Sequence, residues 1–306
     1  MSALVITDVE RAAACIAAGG LVAIPTETVY GLAADASNPA AVARIFEVKA
    51  RPIDHPLIVH LAGADDLDRW ADRPSAAAMA LVEAAWPGPL TIIVPRAESV
   101  LDAVTGGRDT IGLRAPAHPI ARRLIERAGP LAAPSANRYG AVSPTTARHV
   151  ANDLAERLDR ATDVILDGGP CPVGVESTIV DCVSDPPQIL RAGGVTIEEV
   201  HRILDRVAPA SGPSRASGMR SSHYAPRCEV RLVDHADDAI ALRAGTPGAE
   251  ILELGDDLVV AARDLYGLLR DADDRGVVTL IVVLPAPEGL GHAIRDRLEK
   301  AAAPRP

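Results

Sequence analysis

Between Thr7 and Gly20 apolar residues recur at helical spacing behind capping-type residues and end on two glycines, and the run Leu21 to Ile24 follows at once, so this stretch predicts a helix and then a strand. "SNPAAVARIFEVKA" repeats the helical pattern, with Asn38 able to cap and Pro39 suited to the first position. The prolines of "KARPIDHPLIVHL" stop that helix, and Leu57 to Leu61 make another strand. Short strands are expected at "LTIIVP", "TIGLRAP", "PLAAPS", "DVILDGG", "STIVDC" and "QILRAGG", with helices at "PSAAAMALVEAAW", "PIARRLIERAG" and "SPTTARHVANDLAERL". The alternation predicts an α/β domain over 1–207. Residues 208–228, rich in Pro, Gly and Ser and without a period, read as a linker. Beyond it, "EVRLVD", "AEILELG" and "VTLIVVLP" alternate with helical "DLVVAARDLYGLLRDADD" and "GLGHAIRDRLEKAA", giving a smaller α/β domain over 229–306.

With 306 residues, 48% of them hydrophobic, the chain is long enough for two cores. No apolar run approaches the roughly 18 to 20 residues of a membrane span, and the first residues lack the regions of a signal peptide, so the cytoplasm is the expected compartment. The four cysteines show no CxxC spacing and are expected as buried thiols. A net charge of −10 and an aromatic content of 2% argue against a general nucleic-acid binder, leaving room only for a local basic cleft. Among the 31 basic residues only Lys49 and Lys300 are lysine, which singles out Lys49 for a chemical reason.

Several clusters carry candidate chemistry. "IPTETVYGLAAD" gathers Thr26, Glu27, Thr28 and Tyr30 at a strand exit, either as a hydrogen-bonded turn or as part of a ligand site. Lys49 and Arg51, just past a helix, suit phosphate or carboxylate, or else simply complement the helix C-terminus. His60 lies in an apolar strand pattern, as a core histidine or a ligand contact. Thr110 and Arg114, four apart on a strand, share a face, and Arg114 is either paired structurally or bound to a ligand anion. In "APSANRYGAVSPT", Ser135, Asn137 and Ser143 surround a loop before a helix expected to open at Pro144, which Ser143 would cap if it does not meet ligand. Ser177 and Thr178 enter one strand and Arg191 ends another. There is no GxSxG elbow, Walker lysine loop or GxGxxG after a strand.

Taken in order, "PTETVYGL", "KARPIDHPLIVH", "WPGPLTIIV", "GLRAPAHP", "APSANRYGAVSPT", "GVESTIVD" and "ILRAGG" resemble a YrdC-like domain, and with "SGMRSSHYAPR" and the second domain the chain resembles the long, two-domain threonylcarbamoyl-AMP synthase family. The resemblance implies a YrdC-like mixed open sheet with flanking helices and a smaller Rossmann-like C-terminal domain. It implies that L-threonine, bicarbonate or CO2, and ATP give threonylcarbamoyl-AMP and pyrophosphate, with Mg2+ on the ATP phosphates. Other proteins would then transfer the product to tRNA, with little direct tRNA binding by this chain and no membrane. Lys49 and Arg51 would be the catalytic cations. Thr28, His60, Arg114 and Ser177 would meet threonine, and Arg51, His55, Thr110, Ser135, Asn137, Ser143 and Arg191 the nucleotide. The segment holding "HYAP" would return to the cleft as a lid, with Tyr224 touching nucleotide, unless it is only a tether. The family's usual "KGRP" reads "KARP" here, so Ala50 costs stability if its φ must be positive, and His55 stands where another polar residue is usual. Two other readings are a double-stranded RNA-binding module and carbamoyl transfer from carbamoyl phosphate; the latter would bring an acylphosphatase segment and zinc-finger cysteines, which the sequence lacks.

Overall fold

A computed structural model describes residues 4–212 and 223–304. The expected first helix runs Val9–Ala17, capped by Asp8, whose side chain accepts from the Glu10 and Arg11 amides. Strand Val22–Ile24 follows it, entirely buried. The chain then turns through 25–30 and returns antiparallel as Gly31–Asp35, a strand that the sequence pattern does not reveal because "GLAAD" has no β-branched residue. Asn38 and Pro39 begin helix Pro39–Lys49 as expected.

Among the described residues eleven strands form one mixed sheet. Across it the order is Val5–Ile6, Val164–Leu166, Val22–Ile24, Gly31–Asp35, Leu131–Ala132, Ile58–His60, Thr110–Arg114, Leu90–Pro95, Thr178–Asp181, Gln188–Arg191 and Ala208–Pro209. Five neighbouring pairs are parallel and five antiparallel. The inner strands are buried on both faces, which is why they read as continuous apolar runs rather than alternating ones. Helices Ala76–Ala85 and Pro119–Ala128 fall where the pattern places them. Helix Ile197–Ile203, which the pattern misses, presses Val200 into the same core.

One expected boundary shifts. The helix placed at Pro144 opens three residues later as Ala147–Leu154, with Thr146 rather than Ser143 as its cap. Ser143 is thereby released from a capping role.

The second unit is a wholly parallel sheet in the order Glu229–Val233, Thr279–Val283, Glu250–Leu252. It is joined by the expected helices Leu258–Asp274 and Gly291–Ala302, and by a further helix, Ala236–Ala244. Its core is not private: Leu265, Tyr266 and Leu298 pack in one cluster with Val29, Val142 and Val175 of the large sheet domain. Gly174 shows how close the two approach, since a Cβ there would lie 2.3 Å from the Arg263 Cα in helix Leu258–Asp274. Arg270 of that helix pairs with Asp153 at 2.7 Å, both little exposed. The linker begins as edge strand Ala208–Pro209 and re-enters at His223; "SGMRSS" within it lies outside the described residues.

Candidate active site

The polar groups of the opening motif form a closed set. The Thr26 hydroxyl donates to the Val29 carbonyl at 2.6 Å and accepts from the Thr28 and Val29 amides. With its own proton so placed, Thr26 receives the proton of the Thr28 hydroxyl, 2.8 Å away. Thr28 in turn accepts from Arg114 Nη1 at 2.9 Å. Tyr30, fully buried, donates to the Gly169 carbonyl at 2.7 Å and accepts from the Gly168 amide, so it orders the wall.

Arg114 ends strand Thr110–Arg114 and stands in register with His60 on the parallel neighbour, which puts both side chains on one face. Glu27 braces it: Arg114 Nη2 donates to Glu27 Oε1 at 2.6 Å, and the other carboxylate oxygen accepts from the Ala117 amide at 3.1 Å. Arg114 Nε donates to the Gly88 carbonyl. A guanidinium has five N–H donors. Three are engaged, and one on each terminal nitrogen remains, the fork that a carboxylate takes bidentately. Burial pushes the Glu27 pKa up, but the charge and hydrogen bond of Arg114 bring it below the usual carboxylate range. His60 is neutral: burial, then the charge of Arg114, lowers its pKa to about 3, and its Nδ1 has no hydrogen-bond partner.

A second group adjoins this one. Ser177 sits between Thr91, 2.8 Å away, and Arg191 Nη2, which donates to its hydroxyl at 3.1 Å. Arg191 is held again through Nε by the Ser177 carbonyl. This nesting explains the glycines of "RAGG", because a Cβ on Gly193 would lie 2.3 Å from the Glu176 carbonyl oxygen. Arg51 donates to the Pro56 carbonyl at 3.0 Å and faces the Tyr139 ring.

Thr28, His60 and Arg114 line one cavity of about 60 Å³ together with Arg51, Ser135, Ser177 and Arg191. His223 and Tyr224 complete its lining, so the end of the linker returns to the site. Rings connect it to both domains: His55 to Tyr139 at 5.5 Å, Tyr139 to His223 at 5.9 Å, His223 to Tyr224 at 4.2 Å and Tyr224 to Tyr266 at 5.8 Å. All four tyrosines of the chain therefore serve this region. Tyr224 holds φ at +61°, a left-handed backbone that a bulky residue keeps only when its surroundings enforce it.

Other expected residues stand behind the cavity surface. Lys49, 2% exposed, donates from Nζ to the Ser135 carbonyl at 2.6 Å and the Asn137 carbonyl at 2.5 Å. Its first task is thus to hold the loop 135–137. Asn137 donates to the Arg138 and Ala141 carbonyls. Ser143 donates to Glu176 Oε1 at 2.6 Å and is fully buried. Thr110 lies at the far end of its strand from Arg114, and His55 beyond Tyr139. Ala50 caps helix Pro39–Lys49 with φ +51°, while the Arg51 amide reaches the Phe46 carbonyl, the left-handed C-terminal motif in which glycine is usual. Of the two alternatives left open by the sequence, the backbone takes the positive φ, so Ala50 carries the strain.

The residue that sequence reasoning passed over is Glu176. Only 6% exposed, it lines the cavity and accepts from Ser143, from Tyr266 Oη at 2.8 Å and from Arg297 Nε at 2.8 Å. Its signal was a single acidic residue between buried-type neighbours in "GVESTIVD".

The sequence model of the family described as telomere recombination, Sua5/YciO/YrdC, matches residues 14–193, and that of the threonylcarbamoyl-AMP synthase C-terminal domain matches 195–303. The threonylcarbamoyl-AMP synthase of Pyrococcus abyssi is 40% identical over 96% of this chain and 94% of its own length. That of Bacillus subtilis is 37% identical over 97% and 94%. The crystal structure of P. abyssi Sua5 complexed with L-threonine superposes with a TM-score of 0.90 at 39% identity, covering 96% of this chain and 94% of that one. The chain therefore belongs to the threonylcarbamoyl-AMP synthase family, in its long form with a YrdC-like domain followed by a C-terminal domain.

Proposed function

We infer that this chain condenses L-threonine, bicarbonate or CO2, and ATP into threonylcarbamoyl-AMP with release of pyrophosphate, the first step towards threonylcarbamoyladenosine in tRNA. The observation that carries the reading is the Arg114 fork, two free N–H groups braced by Glu27, Thr28 and the Gly88 carbonyl on the same cavity as Arg51 and Arg191. A free amino-acid carboxylate suits the fork, and phosphate oxygens suit the other two arginines.

The threonine amine and CO2 form a carbamate. One carbamate oxygen attacks the α-phosphorus, and the bond from that phosphorus to the bridging oxygen of pyrophosphate breaks. Fixing the amino acid through Arg114 aims the carbamate, and the guanidiniums of Arg51 and Arg191 take up charge on the departing pyrophosphate. Neutral His60, with Nδ1 unpartnered, offers a polar contact to the amino acid without adding charge. Tyr224 and His223 over the cavity keep water from the carbamate and the adenylate.

Both carboxylates here are committed to arginines, Glu27 to Arg114 and Glu176 to Arg297, so the donor set fits a Mg2+ arriving on the ATP phosphates, where it would offset their charge. Transfer to tRNA falls to other proteins, in keeping with the charge of −10. Among the described residues no helix is long and apolar enough to cross a membrane, and we place the reaction in the cytoplasm.

Incubation with ATP, Mg2+, bicarbonate and labelled threonine should yield pyrophosphate and a labelled adenylate. Pyrophosphate release indifferent to threonine would refute the reading.

A further inference from the structure

Glu176 is a carboxylate in the wall of a cavity that must receive a triphosphate. It shares that wall with Arg51 and Arg191 and sits one residue before Ser177. Left alone there, it would repel phosphate. The large domain meets it with the Ser143 hydroxyl and the nearby charge of Arg191. Its ion-pair partner comes from the other domain: Arg297, 0% exposed, on helix Gly291–Ala302, joined by the Tyr266 hydroxyl from helix Leu258–Asp274. Burial raises the Glu176 pKa, but Arg297, Arg191 and the hydrogen bonds outweigh this and hold it at about 2, so the group is an anion at every working pH.

The pair continues outward. Arg297 Nη1 meets Asp296 at 2.5 Å, and Asp296 meets Lys300 at 2.6 Å, so two anions and two cations balance. Lys300, the second of the chain's two lysines, also accepts from the His223 amide at its carbonyl. The Arg297 guanidinium lies 5.2 Å from the centre of the Tyr224 ring. One side chain thus neutralises a cavity carboxylate and backs a residue that seals the cavity.

We propose that Glu176 is a positioning residue of the nucleotide site and that the C-terminal domain, through Arg297 and Tyr266, cancels its charge so that the cavity accepts a nucleoside triphosphate. The proposal rests on the functional reading above. On it, the second domain supplies part of the electrostatics of the active site. Removing Arg297 leaves Asp296 and Lys300 balanced and Glu176 facing the phosphates without its ion-pair partner, met only by the Ser143 and Tyr266 hydroxyls and the nearby charge of Arg191.

The test uses the full chain and the adenylate assay, with KM for ATP and for threonine measured separately and unfolding followed in parallel. Arg297→Met should raise KM for ATP by roughly tenfold or more, most at low salt, with a much smaller change for threonine. Arg297→Lys keeps the cation and should lose less. Glu176→Gln combined with Arg297→Met carries no unpaired buried charge and should recover most of the lost ATP affinity. Equal rises in both KM values, or a double variant no better than Arg297→Met, would overturn the proposal. If Arg297→Met fails to fold, the double variant decides: a KM for ATP as far above the parent as tenfold counts against it. A parent chain that makes no adenylate would instead refute the functional reading.

Discussion

Lys49 offers the sharpest separation between a phosphate ligand and a loop clamp. In Lys49→Met the stem is kept and the ammonium lost, so the Ser135 and Asn137 carbonyls each lose their donor. An abandoned buried acceptor costs about 1 to 3 kcal/mol, which for two gives about 2 to 6 kcal/mol. Part of that is offset. Burial, with the charge of Arg51 adding, already pushes the ammonium's pKa well down, and an apolar side chain has no such desolvation cost. We therefore expect a net loss of about 2 to 4 kcal/mol, read as a lower urea midpoint at unchanged slope. The loop also carries Ser135 on the cavity and Tyr139 under Arg51, so KM for both substrates should rise. A variant within about 0.5 kcal/mol of the parent, as surface substitutions are, and impaired only towards ATP would refute the clamp and return Lys49 to the phosphates.

Ala50→Gly should stabilise the protein, since a left-handed alanine costs about 1 to 2 kcal/mol and the extra freedom of an unfolded glycine returns about 0.4 to 1; a melting temperature lowered by the change would contradict this. Glu27→Gln removes the brace of Arg114 and sets an amide N–H against a donor on one side. With about 1.5 to 3 kcal/mol at stake, KM for threonine should rise roughly 10- to 100-fold with that for ATP little changed; an unchanged threonine KM would show that Arg114 orients itself. Acid should destabilise the fold through its buried neutral histidines. His60 and His223 titrate near pH 3 when folded, chiefly because burial disfavours the imidazolium, and near 6.5 when unfolded. The unfolded chain then binds more protons between those values, and stability falls with pH by about 1.4 kcal/mol per unit per histidine, about 2 kcal/mol each at pH 5. His60→Gln should flatten that slope over pH 4 to 6 in urea titrations, and an unaltered slope would refute the assignment.

What the sequence could disclose was what local pattern encodes. Capped helices such as Pro39–Lys49 and continuous apolar strands such as Leu90–Pro95 lie where period and punctuation put them. Strand Gly31–Asp35 escaped because its pairing with Val22–Ile24 and Leu131–Ala132, not its composition, makes it a strand. Helix Ala236–Ala244 escaped because only Ala239 is buried along it, so it has no apolar stripe to betray it. The motifs likewise announce which residues gather, and His60, Arg114, Ser177 and Arg191 share a cavity.

Which charge each of those residues answers to is another matter. Glu27 and Arg114 are 87 positions apart, and Glu176 and Arg297 are 121. Lys49 binds main-chain carbonyls, which leave no side-chain partner to look for. Counted by type, the cavity surface shows three arginines and one glutamate. Glu27 offsets Arg114 from behind and Arg297 offsets Glu176, while Arg51 and Arg191 share the same lining. Half of that balance is set by a helix more than a hundred residues beyond the cavity strands. A truncated chain ending in the linker would therefore keep every motif of the YrdC-like domain and yet present a different charge to ATP.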